Sequence, residues 1–234
     1  MCIAGGTLDK MGKTASDDWS MTTGGRLPAI DIPAHSHIFF EGDERRTLYL
    51  VESGWVKLYR TLIDGQRQVV GFANAGSVLG LESDGEHVNS CEAITPVKVR
   101  TIPIARLPEM FARDPIFSEQ ILRQVGRQLG AAQAQLAAVG VQSAEQKLAT
   151  FLLSVSRLCD ACEYGEFDLP MRRGDMAEFL GLRLETVSRK MSEFQRRGWI
   201  RMTSLYNCQL VNREALEDLA EGAEILPPAI RQAG

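Results

Sequence analysis

The chain has 234 residues, of which 44% are hydrophobic and 24% charged, and its formal net charge at pH 7 is −4. This length and composition predict a soluble globular protein of two domains. No apolar run approaches the ~18 to 20 residues that span a membrane, and the N-terminus lacks the apolar segment of a signal peptide. We therefore expect no membrane association and a cytoplasmic location, where the five cysteines stay reduced.

Residues from about Ala29 to Ile104 are predicted to form short strands. Turn signals recur at intervals of roughly ten residues, at Glu41-Gly42-Asp43, Ser53-Gly54, Asp64-Gly65 and Ala75-Gly76. Apolar stretches lie between them, at residues 48–51, 56–59 and 69–72. Asp64-Gly65 predicts a two-residue hairpin turn, and the whole pattern predicts a small antiparallel barrel or jelly roll. Such a barrel either holds a small ligand or is filled by its own side chains.

One cluster of metal-ligand residue types lies near the start of this barrel. His35 and His37 are two residues apart, so on a strand both imidazoles would point the same way and could share a metal with Glu41. The pattern resembles part of the first cupin motif, which would indicate a metal-dependent barrel enzyme. The flanking glycines do not have the cupin spacing and the second half of the motif is not evident. We therefore predict no metal and interpret His35 and His37 as two solvent-facing histidines, with a metal or haem site as the alternative.

A long helix is predicted from about Pro115. Its apolar positions follow a strict 3-4-3-4-3 spacing, namely Leu122, Val125, Leu129, Ala132, Leu136 and Val139. A narrow seam of this kind favours a parallel homodimer, although the same stripe could instead pack against the chain's own barrel. Gly126 and Gly130 each weaken the helix by roughly 1 kcal/mol relative to Ala. Gly140 is predicted to be a hinge.

The next helix is predicted to begin at a capping box formed by Ser143 and Gln146. Near its end, Cys159 and Cys162 have the spacing of a redox pair or half a zinc site, but no second pair completes a zinc site. They form either a reversible disulfide or two ordinary thiols. Cys208 is a further candidate for oxidation, because a sulfinate there would add a negative charge that repels phosphate groups.

The segment Met171–Arg201 differs in charge from the rest of the chain. It contains eight Lys or Arg and four Asp or Glu, a local charge of +4, which leaves −8 for the remaining residues. An acidic protein with one basic module is typical of oriented docking on DNA.

Within this segment, two helices are predicted to flank Gly181, a residue that readily adopts the left-handed conformation of a sharp turn. The first helix covers Arg173 to Leu180. The second has an apolar stripe, formed by Leu184, Val187, Met191 and Phe194, and an opposite face with Glu185, Ser188 and Arg189. Carboxylate, hydroxyl and guanidinium groups can read base edges, so the segment predicts a helix-turn-helix. Residues 199–202 and 209–211, on either side of Asn207-Cys208, predict a two-stranded wing.

These motifs together resemble the Crp/Fnr family of bacterial regulators, from Ala29 to about Gly222. In the barrel the resemblance rests on residues 40–43, 48–54 and 75–81, and in the DNA module on residues 173–181 and 185–189. It implies an α+β fold: a cyclic-nucleotide-binding-type β-roll, a long dimerisation helix and a winged helix-turn-helix. The expected boundaries are a flexible tail at 1–25, the roll at 26–112, the dimerisation helix at 113–140 and the DNA-binding domain at 141–234.

The pattern Glu-x-x-Ser-Arg is similar to that of the Fnr and FixK members, which implies a two-fold DNA site close to TTGAT-N4-ATCAA. On this resemblance Arg189 contacts guanine, Glu185 accepts from the paired cytosine and Ser188 helps to select the outer thymine pair. The expected phosphate contacts are Arg172, Arg173, Arg183, Thr186 and Lys190. The alternative is that Glu185 and Arg189 form an ordinary surface ion pair.

The chain departs from the family at its ligand positions. The residues that bind cyclic nucleotide fall at Val78, Val88 and Asn89 here, so cyclic AMP is not expected. The N-terminal segment has only Cys2, and the barrel cysteine of the iron–sulfur relatives falls at about Arg100, so a four-thiolate cluster is not expected either. Arg183 replaces the usual Ser or Thr at the start of the recognition helix, at a cost of roughly 1 kcal/mol of capping free energy.

The resemblance implies a homodimeric transcription regulator, with no enzymatic activity, that activates genes of low-oxygen or nitrogen-oxide metabolism by recruiting RNA polymerase. Control would then lie in the amount of protein or in cysteine oxidation. Two other interpretations stay open at this point. One is a regulator of the same fold that senses haem, metal or a small acid, and the other is the cupin-type enzyme.

Overall fold

The computed structural model describes residues 2–4, 27–81, 85–138, 142–159 and 166–222. The chain divides into two compact units, Met1–Leu136 and Ala137–Gly234. Most of the tail predicted at residues 1–25 lies outside the described residues, as do the hinge predicted at residues 139–141 and Cys162. Across the described ranges, no helix is both long enough and apolar enough to cross a bilayer.

The first unit contains two β-sheets that form the predicted roll. Its strands are β1 (Cys2–Ala4), β2 (Ala29–Ile32), β3 (His37–Phe39), β4 (Thr47–Ser53), β5 (Val56–Thr61), β6 (Arg67–Ala73), β7 (Val78–Leu79), β8 (Ser90–Ala93) and β9 (Val97–Pro103). One sheet has the order β1-β6-β5-β8-β3 and the other the order β2-β9-β4-β7. All pairings are antiparallel except that of β1 with β6.

The interior of the roll is apolar. One cluster is made of strand residues from both sheets, with Val51, Val56 and Val99 fully buried. A second cluster joins strand residues to the helix that follows the roll, through Phe117 and Ile121. Burial of each such side chain stabilises the unit by about 1.5 to 3 kcal/mol. The roll described here is thus filled, at these positions, by its own side chains.

The turn glycines adopt the backbone conformation that their positions predict. Gly42, Gly54, Gly65 and Gly76 have φ between +82° and +87°. At Gly54 a Cβ atom would also overlap the carbonyl oxygen of Pro96, so no other residue fits without a shift. The prediction of a two-residue turn at Asp64-Gly65 is wrong in length. The loop spans residues 62–66, because the Leu62 amide donates to the Gln66 carbonyl at 2.8 Å and β5 ends at Thr61.

Three helical segments follow the roll: a 3-10 helix (Ile104–Arg106), α1 (Leu107–Arg113) and α2 (Pro115–Ala138). Oδ1 of Asp114 accepts a hydrogen bond from the Phe117 amide at 2.9 Å and so caps α2. Phe117 and Ile121 face the roll. The seam residues Leu122, Val125 and Leu129 are 70%, 43% and 58% exposed, and Ala132 is half-buried.

The alternative in which this seam packs against the chain's own roll is therefore wrong at Leu122, Val125 and Leu129. A helix presents different residues every 100°, and Phe117 and Ile121 already supply the face that contacts the roll. Leu136 belongs to the same helix, and Val139 lies outside the described residues.

The second unit contains α3 (Ala144–Leu158), β10 (Glu166–Asp168), α4 (Arg173–Leu180), α5 (Leu184–Arg196), β11 (Ile200–Met202), β12 (Asn207–Leu210) and α6 (Arg213–Glu221). The capping box predicted for α3 is confirmed. The Gln146 amide donates to Oγ of Ser143 at 3.3 Å, and the Ser143 amide donates to Oε1 of Gln146 at 2.7 Å. Leu148, Phe151, Leu152 and Val155 of α3 are fully buried.

The wing differs from its prediction in strand number and in the position of its turn. It has three strands in the order β10-β12-β11. The turn falls at residues 203–206, because the Thr203 amide donates to the Asn207 carbonyl at 3.1 Å. Asn207 and Cys208 therefore lie in β12, where Cys208 is opposite Met202. The short β10 carries no alternation long enough to detect in the sequence.

Candidate nucleic-acid interface

Helices α4 and α5 form the predicted helix-turn-helix. Gly181 ends α4 in the left-handed conformation, with φ 64° and ψ 39°, which glycine adopts without steric cost. The Leu182 amide donates to the Ala177 carbonyl at 3.0 Å and closes the turn. The boundaries Arg173–Leu180 and the start of α5 at Leu184 agree with the sequence prediction.

The apolar stripe of α5 is confirmed at three of its four positions. Val187, Met191 and Phe194 are buried, and the Phe194 ring lies 5.3 Å from that of Trp199. Leu184 is 47% exposed, so its predicted place in the core is wrong. It is the first residue of α5 and lies beyond the part of the helix that packs against the core.

Glu185, Ser188 and Arg189 are exposed on α5 as predicted. Among the described residues no ion pair joins Glu185 to Arg189, so the alternative of an ordinary surface pair is not supported. A carboxylate, a hydroxyl and a guanidinium thus stand side by side, each available to a base edge.

Sequence reasoning missed three residues that extend this face. Leu184 lies four residues before Ser188, and Ser192 and Arg196 follow at the same helical spacing, all three exposed. Oγ of Ser192 donates to the Ser188 carbonyl at 3.0 Å. The signal was available in the sequence as the continuation of the i+4 spacing by two further turns.

Arg172, Arg183 and Thr186 lie at helix N-termini, where backbone amides favour an anion. Arg172 is the N-cap residue of α4 and Arg183 that of α5, both exposed, and Arg183 makes no side-chain capping hydrogen bond. At the start of α4, Oδ2 of Asp175 accepts a hydrogen bond from the Arg172 amide at 3.0 Å. The position of these side chains is compatible with phosphate contacts, which stay predictions.

Arg173 has an unusual environment for a cation. Its Nη1 lies 3.4 Å from Sδ of Met176 and its Nη2 lies 3.8 Å from Sδ of Met202. Burial lowers the pKa of Arg173, but a guanidinium stays charged at neutral pH. Thioethers are weak acceptors, and in the described part of the chain no carboxylate pairs with this group. A half-buried cation of this kind is suited to an anion supplied from outside.

Lys190 is not the free surface cation that a phosphate contact requires. Its Nζ donates to Glu145 of α3 and to Oε2 of Glu193 at 2.9 Å, and its side chain is only 19% exposed. A phosphate would have to displace these two carboxylates to reach the ammonium group, and the phosphate contact of Lys190 stays a prediction.

Comparison with known proteins agrees with this geometry. Residues 146–219 match the Crp-like helix-turn-helix domain, and residues 29–114 match the cyclic nucleotide-binding domain. The chain is 31% identical over 187 residues to the fumarate and nitrate reduction regulatory protein of Escherichia coli K12, which covers 78% of this chain and 74% of that protein. The chain belongs to the Crp/Fnr family.

Further relatives place it among the transcription regulators of the family. It is 32% identical over 173 residues to regulatory protein HlyX of Actinobacillus pleuropneumoniae, covering 72% of each chain. The structure of FixK2 from Bradyrhizobium japonicum matches with a TM-score of 0.77 at 29% identity, covering 87% of this chain and 100% of that one. The protein is thus a DNA-binding transcription regulator of the Crp/Fnr type, in a family whose members regulate transcription.

Cys159 and Cys208 differ in accessibility. Cys208 is fully buried, and burial raises the pKa of its thiol to about 12. A protonated, buried thiol is a poor target for oxidants, so the burial of Cys208 disfavours its oxidation in the folded state, which stays a prediction. Cys159 is half-exposed and its Sγ lies 3.6 Å from the Asp168 carbonyl. Its predicted partner, Cys162, lies outside the described residues.

The constellation of His35, His37 and Glu41 does not form in this Crp/Fnr roll. His35 lies in a turn with φ 66°, while His37 is in β3. Both imidazoles face Glu92 at 3.9 Å, and Glu41 pairs with Arg60 at 3.4 Å. Across the described ranges, no three His, Cys, Asp or Glu side chains are arranged to hold a metal ion. The cupin-type interpretation is therefore wrong, because His35 lies in a turn and not on the strand that carries His37.

The family's ligand positions carry side chains of other chemistry. Val78 is fully buried in the cluster with Phe117 and Ile121, and Val88 is 36% exposed. The guanidinium of Arg100 donates through Nε to Glu52 and through Nη1 to the Leu27 carbonyl at 3.2 Å. The ion pair of Arg100 with Glu52 thus occupies the position that the family resemblance assigns to the barrel cysteine of the iron–sulfur relatives.

Proposed function

We propose that two copies of the chain bind a palindrome close to TTGAT-N4-ATCAA and activate transcription by recruiting RNA polymerase. The observation that carries this proposal is the exposed row on α5, formed by Leu184, Glu185, Ser188 and Arg189. An α-helix fits the major groove of DNA, where each base pair presents a distinct set of donors and acceptors.

Each member of the row has a partner of matching chemistry in one half-site. Arg189 donates to O6 and N7 of guanine, and Glu185 accepts from N4 of the paired cytosine. Ser188 bonds to the outer thymine pair, and the apolar side chain of Leu184 contacts a thymine methyl group, the one apolar feature of the major groove. Arg172, Arg173, Arg183 and Thr186 contact phosphates and fix the position of the helix.

The homodimer is proposed from the exposed apolar seam of α2. Leu122, Val125 and Leu129 are 70%, 43% and 58% exposed in the single chain, and a heptad-type row of this kind is buried when two parallel helices pair. A parallel pair has two-fold symmetry, as the palindrome does. It would hold the two recognition helices about 34 Å apart, one turn of DNA.

Control by cyclic nucleotide or by an iron–sulfur cluster does not fit the residues present. Val88 stands where the resemblance places the arginine that binds the cyclic phosphate, and its apolar side chain cannot neutralise a buried phosphate, because an uncompensated buried charge is costly. Arg100 is paired with Glu52 and cannot ligate iron. We infer that the protein binds DNA without either group, that it performs no catalysis, and that the genes it regulates serve low-oxygen or nitrogen-oxide metabolism. The last inference is supported by the likeness to a regulator named for fumarate and nitrate reduction.

The test is a titration of ligand-free, aerobically purified protein against the palindrome and a scrambled duplex at one fixed salt concentration. Selective binding by at least about a thousandfold is expected for a specific regulator. Arg189→Ala should remove this selectivity and leave the dimer intact, whereas Arg113→Ala, on the α1 helix that follows the roll, should change neither. Equal binding of the two duplexes by the wild-type protein would refute the proposed readout.

A further inference from the structure

Lys190 directly follows the base-reading Arg189, yet its surroundings are different. Its ammonium group donates to Glu145, in the first turn of α3, and to Glu193, one turn further along α5. The side chains of Lys190 and Glu145 are 19% and 27% exposed. Lys190 therefore bridges two helices of the DNA-binding unit.

The bridge is part of a longer network. Oε1 of Glu193 accepts a hydrogen bond from Arg197, whose guanidinium carbon lies 4.8 Å from the centre of the Trp199 ring. Two carboxylates and two cations balance each other, so the network needs no outside anion. It runs from the start of α3, through α5, to the residue that precedes β11.

The bridge stabilises the charged forms of Lys190 and Glu193. The hydrogen bond to Glu145 raises the pKa of Lys190, and the hydrogen bond from Lys190 lowers the pKa of Glu193. A DNA phosphate would have to displace two carboxylates to reach this ammonium. Arg183, by contrast, is exposed, and the described residues offer it no ion-pair partner.

We propose that Lys190 is a positioning residue: through Glu145 it sets the orientation of α5 against α3, and so aims Glu185, Ser188 and Arg189 at the bases. The inference rests on the proposed function of α5. A partly buried bridge between helices holds its geometry better than an exposed pair, which contributes little. Base-edge hydrogen bonds tolerate only a few tenths of an ångström in length, so a small rotation of α5 loses them.

Two uncharged variants, Glu145→Gln and Lys190→Met, distinguish positioning from phosphate contact. If Lys190 positions α5, each variant weakens binding to the palindrome by about three- to tenfold, the loss of one partly buried ion pair. Binding to the scrambled duplex then stays unchanged. If Lys190 contacts phosphate, Glu145→Gln frees the ammonium group and tightens binding to both duplexes, which would overturn the proposal.

Salt dependence gives a second readout. Loss of one phosphate contact lowers the magnitude of the slope of log K against log salt by about 0.9, so a substitution present in both subunits of the dimer lowers it by about 1.8. Arg183→Met, the matched control, should show this change. Lys190→Met and Glu145→Gln should keep the wild-type slope, and Lys190→Arg should keep the wild-type selectivity. A reduced slope in Lys190→Met contradicts the positioning role.

The titration of the wild-type protein, made first, separates this inference from the proposed function. If the wild type does not select the palindrome, the proposed readout fails, and the bridge is then tested without DNA. Amide hydrogen exchange in residues 184–190 should become faster in Lys190→Met and in Glu145→Gln to a similar extent. Unchanged exchange rates in both variants would refute the role of the bridge.

Discussion

Replacing one thymine of the palindrome by uracil removes a single methyl group and leaves every hydrogen-bonding group of the base pair in place. Leu184 is 47% exposed at the start of α5 and lies four residues from Ser188, on the same face. If Leu184 contacts that methyl group, its burial contributes about 0.8 kcal/mol. The uracil duplex should therefore bind about fourfold more weakly when one half-site is changed, and about fifteenfold more weakly when both are.

The assay is fluorescence anisotropy at fixed salt, with each thymine of the half-site replaced in turn. One position should show the fourfold loss with wild-type protein. Leu184→Ala should bind the thymine and uracil duplexes equally, and Leu184→Met, of similar volume, should keep most of the preference. Equal binding of all uracil duplexes by the wild type, or an undiminished preference in Leu184→Ala, would refute the contact.

Four other outcomes follow from the structure. Cys208 should react with iodoacetamide about a thousandfold more slowly than an ordinary thiol, measured by peptide mass spectrometry with Cys159 as the reactive control. Rapid alkylation of Cys208 at pH 8 would contradict its burial. The pKa of Cys208 is raised in the folded state from 9.0 to about 12, so the stability that the protonated thiol contributes should be lost as the pH rises from 9.0 to about 12. Thermal unfolding at a series of pH values measures this loss. Ser143→Ala should lower the stability of the second unit by about 1 kcal/mol, and an unchanged unfolding midpoint would show that the capping box contributes nothing. Leu129→Lys should give a monomer by light scattering with both units folded, and a persistent dimer would exclude the seam on α2.

Local signals with a single physical cause were predictable from the sequence. The turn glycines, the capping box at Ser143 and the left-handed Gly181 each follow from the conformational limits of a few adjacent residues. The exposed face of α5 follows from helical periodicity alone. These features, together with the family motifs, were enough to predict the roll, the long helix and the helix-turn-helix.

Features that depend on contacts between distant residues were not predictable. Nothing near Lys190 in the sequence indicates Glu145, which is 45 positions away, so the sequence alone predicts a phosphate contact for this lysine. The approach of His35 and His37 to Glu92 rather than Glu41 depends on the pairing of β3 with β8. The burial of Cys208 depends on a third wing strand, β10, which has only three residues.

The exposed apolar seam of α2 has a consequence for gene dosage. If two chains must pair through Leu122, Val125 and Leu129 before either half-site is read, occupancy of the site grows as the square of chain concentration below the dimerisation constant. A threefold rise in synthesis would then raise occupancy about ninefold. Changes in the rate at which this protein is made or degraded would thus act on its promoters as a threshold, in the way that an effector acts on a ligand-controlled regulator.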